Sequence, residues 1–405
     1  MPFAGHVNPA QPIAKELVSR GHEVWWLTGE EYKEKVEITG ATFVPQKHIP
    51  SFTDIPVEPD PGTSGLASAV SVLRRLFIDR IAGQVVDYQS ILKTFKADAL
   101  LVDLCAYGAA TLRDLGGPVY ATLGINPLVT LDPECPMYGT GAQPPTTVFG
   151  RTLNRIGQIL AVWFFFSKLT ALLNKEREKL NLPPLPGRNG FYENTRHSLQ
   201  ISILLVLYFR SNLKSSHLPP GGQISQPKRA RKKVVHVTQG TYATDTGNLI
   251  RPTIAALANE PDILLVITTP DAETAFSDPS SLPTNVLITQ FIPHMDLLPH
   301  VDVMVTNAGY NGVLIALKLG VPLVCAGRTE DKADVSSRVA WAGAGIDLKT
   351  DKPTEKQILG AVREVLKNER YKEGARKVKE SFDGHNGPSE ASDLLEKLGR
   401  EGNVV

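Results

Sequence analysis

Three groups of residues in this chain have types and spacings suited to chemistry. The densest lies within 290–348 and holds Phe291-Ile292-Pro293-His294, Thr306-Asn307-Ala308-Gly309-Tyr310-Asn311-Gly312 and Glu330-Asp331-Lys332. An apolar run over 301–305 reads as a strand that ends in a small-residue turn and restarts as a helix over 313–319. Backbone N–H groups at a helix start are unpaired, and the helix dipole adds positive charge, so the turn is an anion seat suited to a diphosphate. A second strand, 322–325, leads into the acidic turn at Asp331. A phosphate seat beside a carboxylate able to accept sugar hydroxyls points to a nucleotide-sugar pocket.

The second group is Gly5-His6-Val7-Asn8-Pro9, a histidine in a glycine-flanked loop just before a helix. Imidazole titrates near pH 6.5, so His6 can take a proton from an alcohol at neutral pH. The third is Asp103, at the end of the apolar run Ala99-Leu100-Leu101-Val102. A carboxylate at a strand's C-terminal end lies where α/β sheets place ligands, and it can orient an imidazole. The competing reading is that Asp103 caps the next helix. Asp98 and Asp114 read as surface charges, and His294 and His300 as loop and packing residues. His22, His48, His197, His217, His236 and His385 show no partner in sequence. There is no zinc-type histidine pair, P-loop lysine or G-x-S-x-G elbow.

These motifs resemble the donor-binding signature of the UDP-glycosyltransferase superfamily of the GT-B fold, which includes plant, macrolide and fungal enzymes (glycosyltransferase family 1). The resemblance implies that His6 is the general base and Asp103 its partner. It implies that Phe291 stacks on the nucleotide base, where many relatives have tryptophan, and that the Ile292 backbone meets the base edge. Gly240 and Thr241 match the small turn facing the phosphates. Asn307 stands where most members have histidine and can still donate to a phosphate oxygen. Gly309 and Asn311 match the plant-type pattern, Asp331 matches the acid of the family's D-Q pair, and Lys332 replaces its glutamine. The expected activity is an inverting transfer of a hexosyl group from a UDP-sugar to a hydroxyl of a small apolar acceptor. The nucleotide sugar is a co-substrate, and neither cofactor nor metal is expected.

Apolar runs alternate with helical patterns, which favours α/β structure with parallel sheets. In the first half, a helix is expected over 9–20 with Pro9 in its first turn and Gly21 just past its end. Strands follow at 23–28, 99–103 and 119–123, and helices at 107–115 and 152–179, the last as one element or two. The second half restarts with strands at 234–237, 263–268 and 286–288 and a helix at 249–258; helices at 355–367, 371–382 and 389–398 close the chain. The fold expected is GT-B: two Rossmann-like domains facing across a cleft. Residues 1–215 would form an acceptor-binding domain, 216–233 a linker, 234–382 the nucleotide-sugar-binding domain and 383–405 a terminal helix packing back on the first domain.

Length and composition agree with this. At 405 residues the chain fits two domains, and 42% hydrophobic residues can fill their cores. A net charge of +1 argues against a general polyanion binder, and the run Lys228-Arg229-Ala230-Arg231-Lys232-Lys233 reads as a solvated linker rather than a nucleic-acid patch. Three scattered cysteines suit neither a disulfide framework nor a zinc cluster. No secretory signal is visible, and the apolar segments 159–173 and 201–209 are shorter than the roughly 20 residues needed to span a bilayer. The expected location is cytoplasmic, with peripheral membrane contact left open.

Three features depart from the superfamily pattern. Relatives have a full strand before the residues matching Gly5-His6, and residues 1–4 are too short to form it. Ile315 stands where many relatives have a glutamate that accepts ribose hydroxyls. The segment 202–226 does not resemble the usual strand and hinge. Two other readings therefore stand beside the transferase: a catalytically impaired nucleotide-sugar-binding relative, and a nucleotide-sugar epimerase.

Overall fold

The structure, a computed structural model, describes residues 2–49, 60–127, 131–191, 199–202, 232–240, 245–270, 272 and 282–402. The chain divides into two compact units: residues 1–137, 145–206 and 386–405 form the first, and Tyr138–Pro144 and Leu207–His385 the second. The basic run before Lys232, the segment 203–226, His197 and His217 lie outside the described residues.

The first unit carries strands β1 (Trp25–Thr28), β2 (Thr42–Pro45), β3 (Ala99–Asp103), β4 (Val119–Gly124) and β5 (Leu199–Ser202). They form two separate parallel sheets, β1-β2 and β3-β4-β5. Its helices are α1 (Ala4–Ser19), α2 (Lys33–Glu37), α3 (Gly65–Leu73), α4 (Ile81–Leu92), α5 (Gly108–Asp114), α6 (Val148–Ala161) and α7 (Ser167–Lys179). The final helix of the chain, Gly387–Glu401, also belongs here. It is tied to α1 by Arg20, whose guanidinium donates to Asp393 (2.5 Å), Glu396 (3.1 Å) and the Ser389 hydroxyl (2.7 Å).

Helix α1 begins five residues earlier than the 9–20 expected, because Phe3 O already accepts from His6 N (2.9 Å) and Val7 N (2.8 Å). Pro9 and Pro12 therefore sit inside the helix. His6 is a first-turn helical residue, not part of a loop before the helix. Helices α6 and α7 run on through a π-helical turn at Val162–Phe166, so the segment is one helix of 32 residues, long and apolar enough by length and composition to cross a membrane. Of the two alternatives for 152–179, the single long element is the one formed, starting four residues earlier at Val148. Its second half is seated by buried Leu169 and Leu173 against Ile78, Ile81 and Val85. Its first half leaves Val148, Phe149, Leu153, Ile156, Leu160, Trp163 and Phe164 exposed along one stripe. Asp114 is more than a surface charge: it accepts from Arg177, whose side chain is buried.

The second unit is one six-stranded parallel sheet of β6 (Lys233–Thr238), β7 (Ile263–Thr268), β8 (Val286–Thr289), β9 (Val303–Thr306), β10 (Leu323–Cys325) and β11 (Gly345–Asp347). The spatial order is β8-β7-β6-β9-β10-β11, so the chain builds outward from β6 to one side, then returns to build outward from it on the other. The remaining helices are α8 (Ile250–Leu257), α9 (His294–Leu297), α10 (Tyr310–Lys318), α11 (Lys332–Trp341), α12 (Glu355–Lys367) and α13 (Glu369–Asp383), which makes the chain's last helix α14. Val235, Val237, Leu265, Ile267, Val303 and Val305 are completely buried between the helix layers. Such near-continuous apolar strands are what a parallel sheet covered on both faces requires.

Candidate active site

In the first unit, β3 carries Asp103 to its C-terminal end and α1 brings His6 against it. His6 Nδ1 lies 2.6 Å from Asp103 Oδ2. The other carboxylate oxygen accepts the Cys105 amide at 2.8 Å. Burial alone would raise the Asp103 carboxyl, but the imidazole and the two hydrogen bonds outweigh it and hold the group well below the ordinary carboxylate range. Asp103 is therefore ionised at neutral pH. An ionised acceptor on Nδ1 places the histidine's proton there and leaves the Nε2 lone pair free to act as a base. Asp103 does not cap α5, whose N-terminal cap position is Tyr107.

In the second unit, the strand order reverses between β6 and β9, and in doubly wound sheets ligands bind at the carboxyl ends of the strands at such a point. Gly240 follows β6 and Asn307 follows β9, with Thr238 and Thr306 in register. Gly240 has φ +75°, a left-handed turn. Asn307 Nδ2 donates to Gln239 O at 2.6 Å and so links the two turns. Gln239, which the sequence does not single out, is buried; its amide donates to Asp245 O (2.9 Å) and accepts from Ile250 N (3.1 Å), fixing the start of α8. Thr241 lies outside the described residues.

After Asn307 the chain passes through Ala308, at φ +63°, and Gly309, the N-terminal cap position of α10. Helix α10 therefore starts three residues before the expected 313, and Tyr310 and Asn311 lie in its first turn. The opposite wall comes from β10. A Cβ at Gly327 would stand 2.1 Å from Asn307 O, so the turn after β10 touches the turn after β9 backbone to backbone. That glycine's role has no local signal.

Asp331 takes the N-terminal cap position of α11 without a capping hydrogen bond from its side chain. Burial and the neighbouring Glu330 push its carboxyl up to about 6, with Lys332 opposing. Lys332 Nζ donates instead to Glu330 (2.5 Å) and the Thr329 hydroxyl (3.1 Å). Glu330 is held at φ +56°, a conformation that costs on the order of 1 kcal/mol for a non-glycine residue. Burial pushes the Tyr310 phenol up to about 12, and the Asp331 charge adds to the shift, so the start of α10 and the acidic turn share one environment.

Two further features are invisible to sequence reasoning. Asp334, one turn into α11 and fully buried, accepts Gly139 N (2.6 Å) and Gly141 N (2.8 Å), docking Tyr138–Pro144 on the helix. His236 in β6 is completely buried, donates from Nδ1 to Val266 O (3.0 Å) and packs edge-on against His294, with ring centroids 5.6 Å apart. Burial pushes His236 down to about 4, so both rings are neutral packing groups at pH 7. Phe291 follows β8 and is 74% exposed, its ring free on the surface at the carboxyl end of the sheet; Ile292 beside it is half-buried.

The fold and these turns define a class of α/β protein, the GT-B glycosyltransferases. Among solved structures, the kitacinnamycin glycosyltransferase matches with a TM-score of 0.71 at 21% identity over 98% of this chain and 96% of that one. The calicheamicin glycosyltransferase CalG4 matches with a TM-score of 0.70 at 21% identity over the same shares. Residues 253–398 match the family model of the erythromycin biosynthesis protein CIII-like C-terminal domain. The 4'-demethylrebeccamycin synthase of Lentzea aerocolonigenes is 35% identical over 421 aligned residues, covering 98% of this chain and 97% of that protein. UDP-glucosyltransferase A1 of Starmerella bombicola is 28% identical over 98% of this chain and 91% of its own length. The chain belongs to the UDP-glycosyltransferase superfamily and is a glycosyltransferase.

Proposed function

We propose that the chain transfers a hexosyl group from a UDP-sugar to a hydroxyl of a small, largely apolar acceptor, with inversion at the anomeric carbon. The observation that carries this reading is the 2.6 Å pair of His6 with an ionised Asp103. His6 Nε2 takes the proton of the acceptor hydroxyl while Asp103 stabilises the imidazolium that forms. The acceptor oxygen bonds to the anomeric carbon as its bond to the diphosphate oxygen breaks, and UDP leaves with the electron pair. Attack opposite the leaving group inverts the configuration.

The amide groups at the start of α10, with Gly240, Thr241 and Asn307, bind the diphosphate, and the helix dipole offsets its charge without a metal. Asp331 accepts hydroxyls of the hexose, and Asn311 and Lys332 border the same turn. Phe291 stacks on the base beside the Ile292 backbone. The apolar stripe on α6 and the π-helical turn after it, from Phe149 to Phe164, supports an apolar acceptor and contact of this unit with a membrane surface.

The test is incubation of the purified chain with UDP-glucose and a panel of phenols and sterols, with the product's anomeric configuration read by NMR. A β-glucoside from the α-linked donor supports the reading. A retained α-configuration excludes it, and an altered hexose formed without acceptor would identify an epimerase. A second reading, donor binding without turnover, is favoured by the half-buried edges of β1 and β3 beside the dyad; calorimetric heat with UDP-glucose and no product would select it.

A further inference from the structure

Helix α4 carries Gln84, Asp87 and Tyr88 at i, i+3 and i+4, the spacing that places side chains on one face. That face meets the turns after two strands. Gln84 Oε1 accepts the Gly108 amide at 2.7 Å, at the start of α5 just beyond Asp103. Asp87, only 4% exposed, accepts the Lys47 amide (3.1 Å), the His48 amide (3.2 Å) and His48 Nδ1 (2.7 Å), just beyond the end of β2. Burial pushes the Tyr88 phenol up, and the charges of Asp103 and then Asp87 add to the shift, so both carboxylates act on one ring. Gln46 and Ile49, which flank Lys47-His48, line the same space as His6 and Asp103. The first unit therefore holds two histidine–carboxylate pairs in one neighbourhood, each at the carboxyl end of a strand, where α/β sheets place ligands.

The transfer chemistry uses one pair. The other is more than a fastening for its turn. The Lys47 and His48 amides already tie the backbone to Asp87. Gly83 of α4 packs so closely that a Cβ there would stand 2.3 Å from His48 O. The imidazole is free of that task, and its side chain is 54% exposed. Among the described residues, the groups that Asp87 meets are N–H donors. The histidine's proton therefore sits on Nδ1, and Nε2 keeps its lone pair. A half-exposed ring nitrogen held in direction by a buried carboxylate is an acceptor aimed at a hydroxyl.

We propose that His48 is a second hydroxyl anchor for the acceptor. Its Nε2 accepts from a hydroxyl other than the one that His6 deprotonates. The acceptor class is then a diol or polyphenol, apolar between its hydroxyls. This deepens the transferase reading and rests on it for the role of His6.

The test uses hydroquinone, dihydroxynaphthalene and dihydroxybiphenyl, each beside its monohydroxy counterpart, with UDP-glucose as donor. The readout is the ratio of kcat/KM for the dihydroxy compound to that for its counterpart. His48→Asn keeps an amide for Asp87 and loses the group at Nε2. It should melt with the parent, and for the diol that spans the two histidines its ratio should fall about threefold to tenfold, the worth of one net hydrogen bond. The fall should lie in KM rather than kcat. His48→Gln places an amide where Nε2 stood and should restore most of the preference. An unchanged ratio in His48→Asn for all three diols overturns the proposal. So does a melting temperature well below the parent's in both variants, because the imidazole is then part of the turn's hold. Calorimetry of the same acceptors without donor gives the ratio as affinities. A parent that transfers to none of them refutes the transferase reading, and the calorimetric ratio still decides the role of His48.

Discussion

Asp331→Asn separates what the acidic turn costs the fold from what it does for the donor. Burial and Glu330 push the Asp331 carboxyl from 3.8 to about 6 in the folded chain. Below about pH 4 the group is protonated whether the chain is folded or not, and it costs nothing. Between about pH 4 and 6 the folded state holds a proton that the unfolded state has released, so stability falls as pH rises. Above about pH 6 the loss is constant; two pH units at ~1.4 kcal/mol each make it about 3 kcal/mol. The substituted asparagine keeps the shape of the side chain and does not ionise. The variant should match the parent at pH 4 and exceed it by about 3 kcal/mol at pH 7, a rise in melting temperature of roughly 6–12 °C for a unit of this size. Calorimetric melts of both chains from pH 4 to 7.5 measure it. In the same protein, affinity for UDP-glucose should fall about 10–100-fold at pH 7, the worth of a hydrogen bond to a charged acceptor. Parent affinity should weaken as pH drops through about 6, while the variant's stays flat. A variant no more stable than its parent at pH 7 would refute the burial argument, and unchanged donor affinity would remove Asp331 from the sugar site.

Three other substitutions probe the remaining parts. His6→Ala should lower kcat by about 10²–10⁴ while the donor Kd is unchanged, and adding Asp103→Asn should cost little more, since the pair acts as a unit; stopped-flow turnover and calorimetry separate the two quantities. Phe291→Ala should weaken donor binding by up to about tenfold without altering melting, as a ring stacked only on a ligand contributes about 0.5–1.5 kcal/mol; equal affinity would remove it from the base site. Gly327→Ala drives a methyl group into Asn307 O and should cost at least about 2 kcal/mol in denaturant unfolding as well as donor affinity; a stable variant would show that the two turns do not need their contact.

What can be read in the sequence is local. The strand, turn and helix around Asn307 and Gly309 announce themselves because an apolar run, a small-residue turn and a renewed apolar pattern are neighbours in the chain. Helix α12, 355–367, is delimited to the residue because Thr354 and Gln357 form a capping box. Prolines mislead: Pro9 reads as a first-turn residue, yet both Pro9 and Pro12 lie inside the 16-residue helix α1. Strand β2 and helices α3 and α4 are not among the expected elements, although Val70, Leu73, Phe77, Ile81, Val85 and Tyr88 recur at helical spacing. The pair of His6 and Asp103, 97 residues apart, comes from a family resemblance, because no spacing rule reaches that far. Asp334 to Gly139 spans 195 residues and has no such guide; neither does the pair of His48 with buried Asp87, at 2.7 Å. The same distinction explains the acidic turn. Its identity is visible in three consecutive residues, but its raised carboxyl comes first from burial, which no local pattern records.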